Sequence, residues 1–433
     1  MRRRYVLCGL SRRGLTTYAG PMIGISGDGT GEDHSATAQL VAVVDPDRDR
    51  VRQFNERVLP AGHPPVAWYR PDEFAAMVEQ TQPDAVIVAS PDHTHADHIV
   101  AGLHHGLDVI TEKPMVTTVA DAQRVLTAER TSAGSVVVTH NLRYPLRHQQ
   151  IKRLIRDGAV GTPTYVLLEY HVDIRHGASY FLRWNRRREF SGGLSVHKST
   201  HHVDLVSWWL DDAPVRVYAV GGRHYYGPDS PHRPRAAGGV PYVGDQLRRR
   251  DPYAQAQAGI FADAAATDAA RTDDFGLPYT YQYPPERDLS PYDDEIDVED
   301  TYTALISYAG GATLVYTIDF SSPWEGYRLV INGTHGQVET TAGRFPDGTP
   351  LPDTQQIVHR PLFGAARTIP VPVPPGGHDG ADPQLRHDLF VGPSAASAEL
   401  GLIATAQQGA DAVAAGEAIW RSIAEQRVVE LAP

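Results

Sequence analysis

A doubly wound α/β unit followed by an α+β unit built on a largely antiparallel open sheet is the fold class this sequence predicts. Three observations point to it. Over residues 1–145 short apolar runs alternate with amphipathic stretches, the pattern of a parallel sheet covered on both faces. From Gly161 onward apolar residues recur with period two, as in strands with one buried face. A chain of 433 residues also exceeds what one hydrophobic core usually holds. Two domains are therefore expected, residues 1–145 and 146–433.

Composition narrows the function. A net charge of −12 argues against nucleic acid or an anionic membrane surface as partner. The one cysteine, Cys8, excludes an internal disulfide framework and a cysteine-rich metal site. The N-terminal run Tyr5–Leu10 is too short for a signal peptide, and no stretch approaches the ~20 apolar residues that span a bilayer. A cytoplasmic location is expected.

The first element is a buried strand ending at Gly9, followed by Ser11 and Gly14. This is the spacing of a Gly-x-Gly-x-x-Gly turn, with serine in the middle slot. In such a turn the first glycine permits the bend and the middle one lets backbone approach a pyrophosphate; a serine hydroxyl there can bond a phosphate oxygen. The strand Leu40–Val44 then delivers Asp45 where a dinucleotide fold places the acid that holds a ribose diol. Its distance from Gly14 is lengthened by a Gly- and Asp-rich surface loop, Gly24 to Ser35. A carboxylate at 45 favours NAD by repelling a 2′-phosphate, while Arg48 and Arg50 keep NADP open. Helical stretches Arg48–Val58 and Pro71–Glu79, the strand Asp84–Ser90 with Pro91, a helix from Asp92 to Gly106 and the strand Asp108–Thr111 follow. Then come Glu112-Lys113-Pro114, a helix Val119–Ala128, a strand Ser135–Thr139 and Asn141–Pro145. Gly9, Asp45, Ser90, Lys113 and Asn141 all fall at carboxyl ends of strands, where ligands of open α/β sheets sit.

Two motifs in this order carry a resemblance. Ser90-Pro-Asp-His-Thr-His95 precedes Glu112-Lys113-Pro114, and Gly192-Gly193 precedes His201-x-x-Asp204 on a helix. The chain resembles the glucose–fructose oxidoreductase/inositol dehydrogenase (Gfo/Idh/MocA) family from Gly9 to the C-terminal helix. That resemblance implies a Rossmann NAD(P)-binding domain and a substrate domain whose last helix returns to the first. It also implies Lys113 as the lysine reaching the substrate hydroxyl and His201 as the acid/base beside the reacting carbon. An ammonium bonded to an alcohol stabilises developing alkoxide, and imidazole titrates near neutrality. The cofactor set expected from turn, strand ends and resemblance is Gly9, Ser11, Gly14, Asp45, Ser90, Pro91, His93, His95, Glu112 and Asn141.

The second domain opens with strands Thr164–Tyr170, Val215–Val220, Tyr302–Tyr308, Thr313–Asp319 and Tyr327–Asn332. Its sheet is expected to be covered by oligomerisation, as dimer or tetramer, or by loops. The stretch 222–293, rich in Gly, Pro, Ala and Asp, is expected to be a lid-like loop insertion. Where many family members carry aspartate four residues before the histidine, this chain has His197-Lys198. Together with His176-to-Asn185 upstream, this predicts a carbohydrate site in which Tyr144, Arg183, Trp184, His197, Lys198 and Asp204 bind substrate. A helix running through His197, His201 and Asp204 would place the three on one face, so a metal site completed by His378 and Asp379 is the rival reading; no metal is expected. The other histidines of the first domain, His98, His104 and His105 among them, are expected to be solvated or to cap a helix.

The function expected is hydride transfer between nicotinamide and a secondary alcohol carbon of a sugar, sugar derivative or glycoside. Two alternatives stand beside it. One is a redox-neutral NAD-using glycosidase or lyase working through a transient keto-sugar. The other is a non-catalytic dinucleotide-binding regulator.

Overall fold

The computed structural model describes residues 2–26, 30–258, 275–277, 289–352, 354–375 and 377–431. The first sheet holds β1 (Arg3–Cys8), β2 (Ala38–Val44), β3 (Ala67–Tyr69), β4 (Ala85–Val88), β5 (Asp108–Thr111) and β6 (Val136–Val138), all parallel, in the order β6-β5-β4-β1-β2-β3. Chain order reverses between β1 and β4, and such a switch point opens a crevice at the strands' carboxyl ends. The inner strands are buried on both faces, from Val6 to Cys8 and from Val86 to Val88, because helices cover each side.

Among the described residues the second sheet holds nine strands. They are β7 (Pro163–Asp173), β8 (Pro214–Gly222), β9 (Thr301–Tyr308), β10 (Thr313–Ser322), β11 (Glu325–Gly333), β12 (Gly336–Arg344), β13 (Gln356–Pro361), β14 (Arg367–Pro370) and β16 (Val429–Glu430). Their order is β14-β13-β12-β11-β7-β10-β9-β8-β16, antiparallel throughout except for the parallel pair β7–β10. The period-two signal has its cause in β10, where Leu314, Tyr316, Ile318 and Phe320 face the core while Val315, Thr317 and Asp319 face out. The inner face is covered by helices Ser199–Leu210 and Ala406–Glu425. Across the outer face the register aligns Tyr218, Leu305, Val315, Leu167 and Val330, a row over five strands. The chain re-enters the first sheet through β15 (Ala404–Thr405), antiparallel to β6, before the last helix.

Of the insertion, residues 259–274 and 278–288 lie outside the described residues. Its described parts pack down with short helices Gly244–Arg248 and Pro252–Ala258. Tyr226 stacks on Phe181 with ring centroids 3.7 Å apart, and Tyr292 donates to Asp251 at 2.8 Å. Leu277 is fully buried in the core, and the Gly276 carbonyl accepts from Arg57 of the helix Arg48–Arg57. The insertion thus reaches back to the first domain beside the end of β2.

Candidate active site

The turn after β1 forms as its glycines require. Gly9 has φ +91°, and a Cβ on it would lie 2.6 Å from the Ser90 backbone, so only glycine lets β1 and β4 end this close together. The Ser11 hydroxyl accepts the Gly14 N–H at 3.0 Å and donates to the Ala89 carbonyl at 2.8 Å. It caps the start of the helix that follows, and one acceptor site on the hydroxyl remains. Asp45 accepts the Leu10 and Asp47 N–H groups, each at 2.7 Å, and burial raises its carboxyl above the usual range. One lone-pair site remains on each oxygen, so a ribose diol can still be held. The helix N-terminus behind the turn suits a pyrophosphate. These residues fit a dinucleotide.

Other members of the expected cofactor set do different work. The Ser90 hydroxyl pairs with Thr94 at 2.6 Å, and the Pro91 carbonyl accepts from the same threonine. His93 packs on Phe190 at 5.1 Å. His95 is fully buried, and its ring nitrogens face the carbonyls of Ser90 (2.8 Å) and Pro114 (2.9 Å), stapling the end of β4 to the cis Lys113–Pro114 peptide. Glu112 accepts from Arg13 (2.7 Å) and Tyr18 (2.6 Å), and Asn141 donates to Asp382 (3.0 Å). Asp382, from the segment Gly377–Phe390, also accepts from Arg13 and pairs with His378. Burial works against it, but Arg13 and His378 hold the Asp382 carboxyl well below the usual range. Glu112 and Asn141 therefore belong to a buried charged clasp joining the two domains.

On the substrate side the single predicted helix is two, Leu194–His197 and Ser199–Leu210, broken at Lys198 after the positive-φ pair Gly192-Gly193. The break turns the three would-be metal ligands apart. His197 Nδ1 meets Asp92 Oδ2 at 2.5 Å, and its Nε2 faces the Asn185 amide nitrogen at 3.2 Å. An amide N–H donated to Nε2 puts the ring proton on Nδ1, where it is given to Asp92. Tyr180 and Trp184 stand edge-on to the same ring at 5.5 and 5.6 Å. The Lys113 ammonium donates to the His197 carbonyl at 3.0 Å. Burial lowers it from the ordinary lysine range to about 8, with Asp92 opposing; burial likewise raises the Asp92 carboxyl.

His201 faces inward beside His140, ring centroids 6.0 Å apart, and its Nδ1 has no hydrogen-bond partner among the described residues. Burial, then the charges of Lys113, His140 and Lys198, push it well below the usual imidazole range, so it is neutral at pH 7. Asp204 departs from its expected substrate contact. Both its oxygens are taken by Arg143, at 2.8 and 2.5 Å, with all of this fully buried. Tyr144 is likewise redirected: it is buried in the core, its hydroxyl pushed up by burial and by Asp388, away from the histidines. Arg183 is exposed and folds back on Ser179. Lys198 lies over the Tyr170 ring at 5.1 Å.

Thus Lys113, His197, Lys198, His201 and Trp184 come together, whereas Tyr144 packs in the core and Asp204 pairs with Arg143, one of its oxygens 3.7 Å from the Nδ1 of the His140 ring beside His201. Among the described residues no group of three or more His, Cys, Asp or Glu could hold a metal ion. Sequence reasoning missed Asp92, Arg143 and Arg13, and read Asn185 only as part of the carbohydrate-site segment, not as the partner of His197. Each stands inside or beside a motif already singled out, as a polar residue in a stretch otherwise bound for burial.

Comparison with known proteins agrees along the whole chain. Residues 4–140 match the NAD-binding Rossmann fold of an oxidoreductase family, and residues 152–431 match that family's C-terminal alpha/beta domain. The putative oxidoreductase YteT of Bacillus subtilis (strain 168) is 41% identical over 430 residues, 99% of this chain and 97% of its own length. Inositol 2-dehydrogenase 3 of Saccharopolyspora erythraea is 28% identical over 214 residues, 46% of this chain and 57% of that protein. Two solved structures share the fold over nearly all of both chains. An aldose–aldose oxidoreductase from Caulobacter crescentus complexed with glycerol has TM-score 0.62 at 18% identity, covering 100% of each chain. An Agrobacterium radiobacter oxidoreductase in complex with NAD+, L-tartaric acid and magnesium has TM-score 0.62 at 15% identity, covering 99% of this chain and 98% of that one.

Proposed function

This chain belongs to the Gfo/Idh/MocA oxidoreductase family, and from that premise we propose that it oxidises or reduces a secondary alcohol carbon of a sugar, sugar derivative or glycoside with NAD as cofactor. Gly9, Gly14, Asp45 and the helix N-terminus at Arg12 would hold the dinucleotide; Asp45 repels a 2′-phosphate, which favours NAD over NADP. When bound, the nicotinamide supplies or accepts the hydride. His201 holds or takes the hydroxyl proton, and Lys113 polarises the oxygen. His197, fixed between Asp92 and Asn185, presents the carbonyl that aims the Lys113 ammonium. The observation that carries this reading is the neutral, buried imidazole of His201, its Nδ1 without a hydrogen-bond partner among the described residues, close enough to Lys113 to feel its charge.

Calorimetric titration with NAD and NADP, followed by absorbance of the reduced cofactor over a sugar panel, tests the proposal. NAD should bind tighter, and reduced cofactor should accumulate with a polyol or sugar. No dinucleotide binding, or glycoside cleavage without net reduced cofactor, overturns it. The pH dependence adds a second test. Lys113 is lowered to about 8, so its ammonium form is complete below that pH and is lost above it. In the alcohol-oxidising direction, where the ammonium stabilises the forming alkoxide, kcat/KM should therefore fall above pH 8, about tenfold per unit, and Lys113→Met should remove that limb along with most of the rate.

The outer face of the second sheet adds assembly to the proposal. Tyr165, Leu167, Tyr218, Val220 and Leu305 are all exposed there, and a second copy covering them would make a homo-oligomer. A cytoplasmic setting suits the free, buried Cys8.

A further inference from the structure

Only three of the 40 lysines and arginines in this chain are lysine. None is used as a surface charge. Lys152 is consumed by the Trp208 carbonyl and Asp211. Lys113 donates to the His197 carbonyl. Lys198 is different. It is 8% exposed, its ammonium stands over the Tyr170 ring, and it makes no hydrogen bond or ion pair with any described residue. The ammonium is not among the fully buried unpartnered atoms, so its three N–H donors open to the space beside Tyr170, where a cation–π contact supplies only part of what an acceptor would.

The neighbouring carboxylates are already spoken for. Glu325 is bonded to His176 Nδ1 at 2.9 and 3.0 Å, and Asp92 to His197. Neither forms an ion pair with Lys198. The other ionisable groups that Lys198 influences are Lys113, His176, Tyr180, His197, His201 and His202. Arg344 stands close enough to act on Glu325 and Tyr170. Two carboxylates act on the same surroundings, Glu325, which also feels the Lys198 charge, and the exposed Asp379, which acts on Tyr170; neither is hydrogen-bonded to the Lys198 ammonium, whose other neighbours are imidazoles, phenols and further cations.

We propose that Lys198 receives a carboxylate of the substrate, so that the substrate class is a uronic-acid-type sugar. This rests on the oxidoreductase reading above and narrows it. Lys198 lies one residue after His197 and three before His201, on the wall that carries the proton acceptor. A carboxylate held there places the sugar ring against the same wall. One ammonium beside an aromatic face matches a monoanion. A phosphate ester is the competing anion, since Arg344 and Arg183 also act on this part of the site, and the test below includes one for that reason.

The test is calorimetric, on the full chain saturated with NAD, with D-glucuronate, D-galacturonate, the parent neutral sugars, glucuronate methyl ester and glucose 6-phosphate. At least one uronate should bind about 10–100-fold tighter than its neutral parent, the worth of a hydrogen bond to a charged group. Esterification should remove most of that advantage, a result that needs no variant. In Lys198→Met and Lys198→Gln the ratio of uronate to neutral affinity should collapse toward one. Equal affinity for uronate and neutral sugar in the wild-type protein overturns the proposal. So does a variant that weakens both alike, as does tighter binding of the phosphate ester. Retained uronate selectivity without reduced cofactor would sink the hydride-transfer reading and leave the carboxylate site standing. Turnover that prefers neutral sugars would do the reverse.

Discussion

Replacing His201 by asparagine is expected to lower kcat by about 10²–10⁴-fold, the usual contribution of a positioned acid/base. Dinucleotide affinity, titrated by fluorescence, should change little, because Gly9, Gly14 and Asp45 lie on the other domain. The wild-type acid limb should fall at lower pH than a free imidazole would give. Burial and the lysine charges depress His201, so its neutral, proton-accepting form persists as pH drops and is lost only through the depressed value. Loss of that limb in His201→Asn, with the Lys113 limb retained, would tie it to this ring. A variant that keeps the wild-type kcat would place the acceptor elsewhere. His197 is a poor substitute, since both its nitrogens are engaged by Asp92 and Asn185.

The second large effect concerns stability. Asp204→Ala removes the one carboxylate that neutralises Arg143, and both side chains are 1% exposed. A buried guanidinium left without its partner costs about 3–5 kcal/mol. The urea midpoint of unfolding should drop accordingly. Double replacement of Arg143 and Asp204 by apolar residues of similar volume should recover much of the loss, since the pair's Coulomb gain is largely offset by its desolvation. If Asp204→Ala unfolds like the wild type, the ion pair is not what holds the start of this helix against Asn141–Arg143.

Much of this architecture was legible in the chain. The alternating apolar runs up to Thr139 and the period-two strands after Gly161 report burial on both faces or on one, and burial is a local property of sequence. The strand-end residues Gly9, Asp45, Ser90 and Lys113 were legible for the same reason. What could not be read are pairings between distant segments. Nothing near Asp204 indicates Arg143, 61 residues earlier, and nothing near His197 indicates Asp92, 105 residues earlier. Helical spacing runs unbroken from His197 to Asp204, so periodicity cannot reveal the break at Lys198. That break follows from the left-handed Gly192-Gly193 entry and from the pull of Asp92 on the ring before it. The internal bonds of Ser11, to a helix start and a strand-end carbonyl, were likewise not legible, since its glycine-turn spacing pointed only to a phosphate.

The bond from Asp92 to His197, the Lys113 contact with the His197 carbonyl and the clasp of Arg13 on Asp382 all cross from one domain to the other. With the two domains fastened together at three points, there is little hinge travel left for a substrate to trigger on arrival. Selection among the proposed sugar substrates would then fall on the fit to groups already in place, with little gained from a closing step.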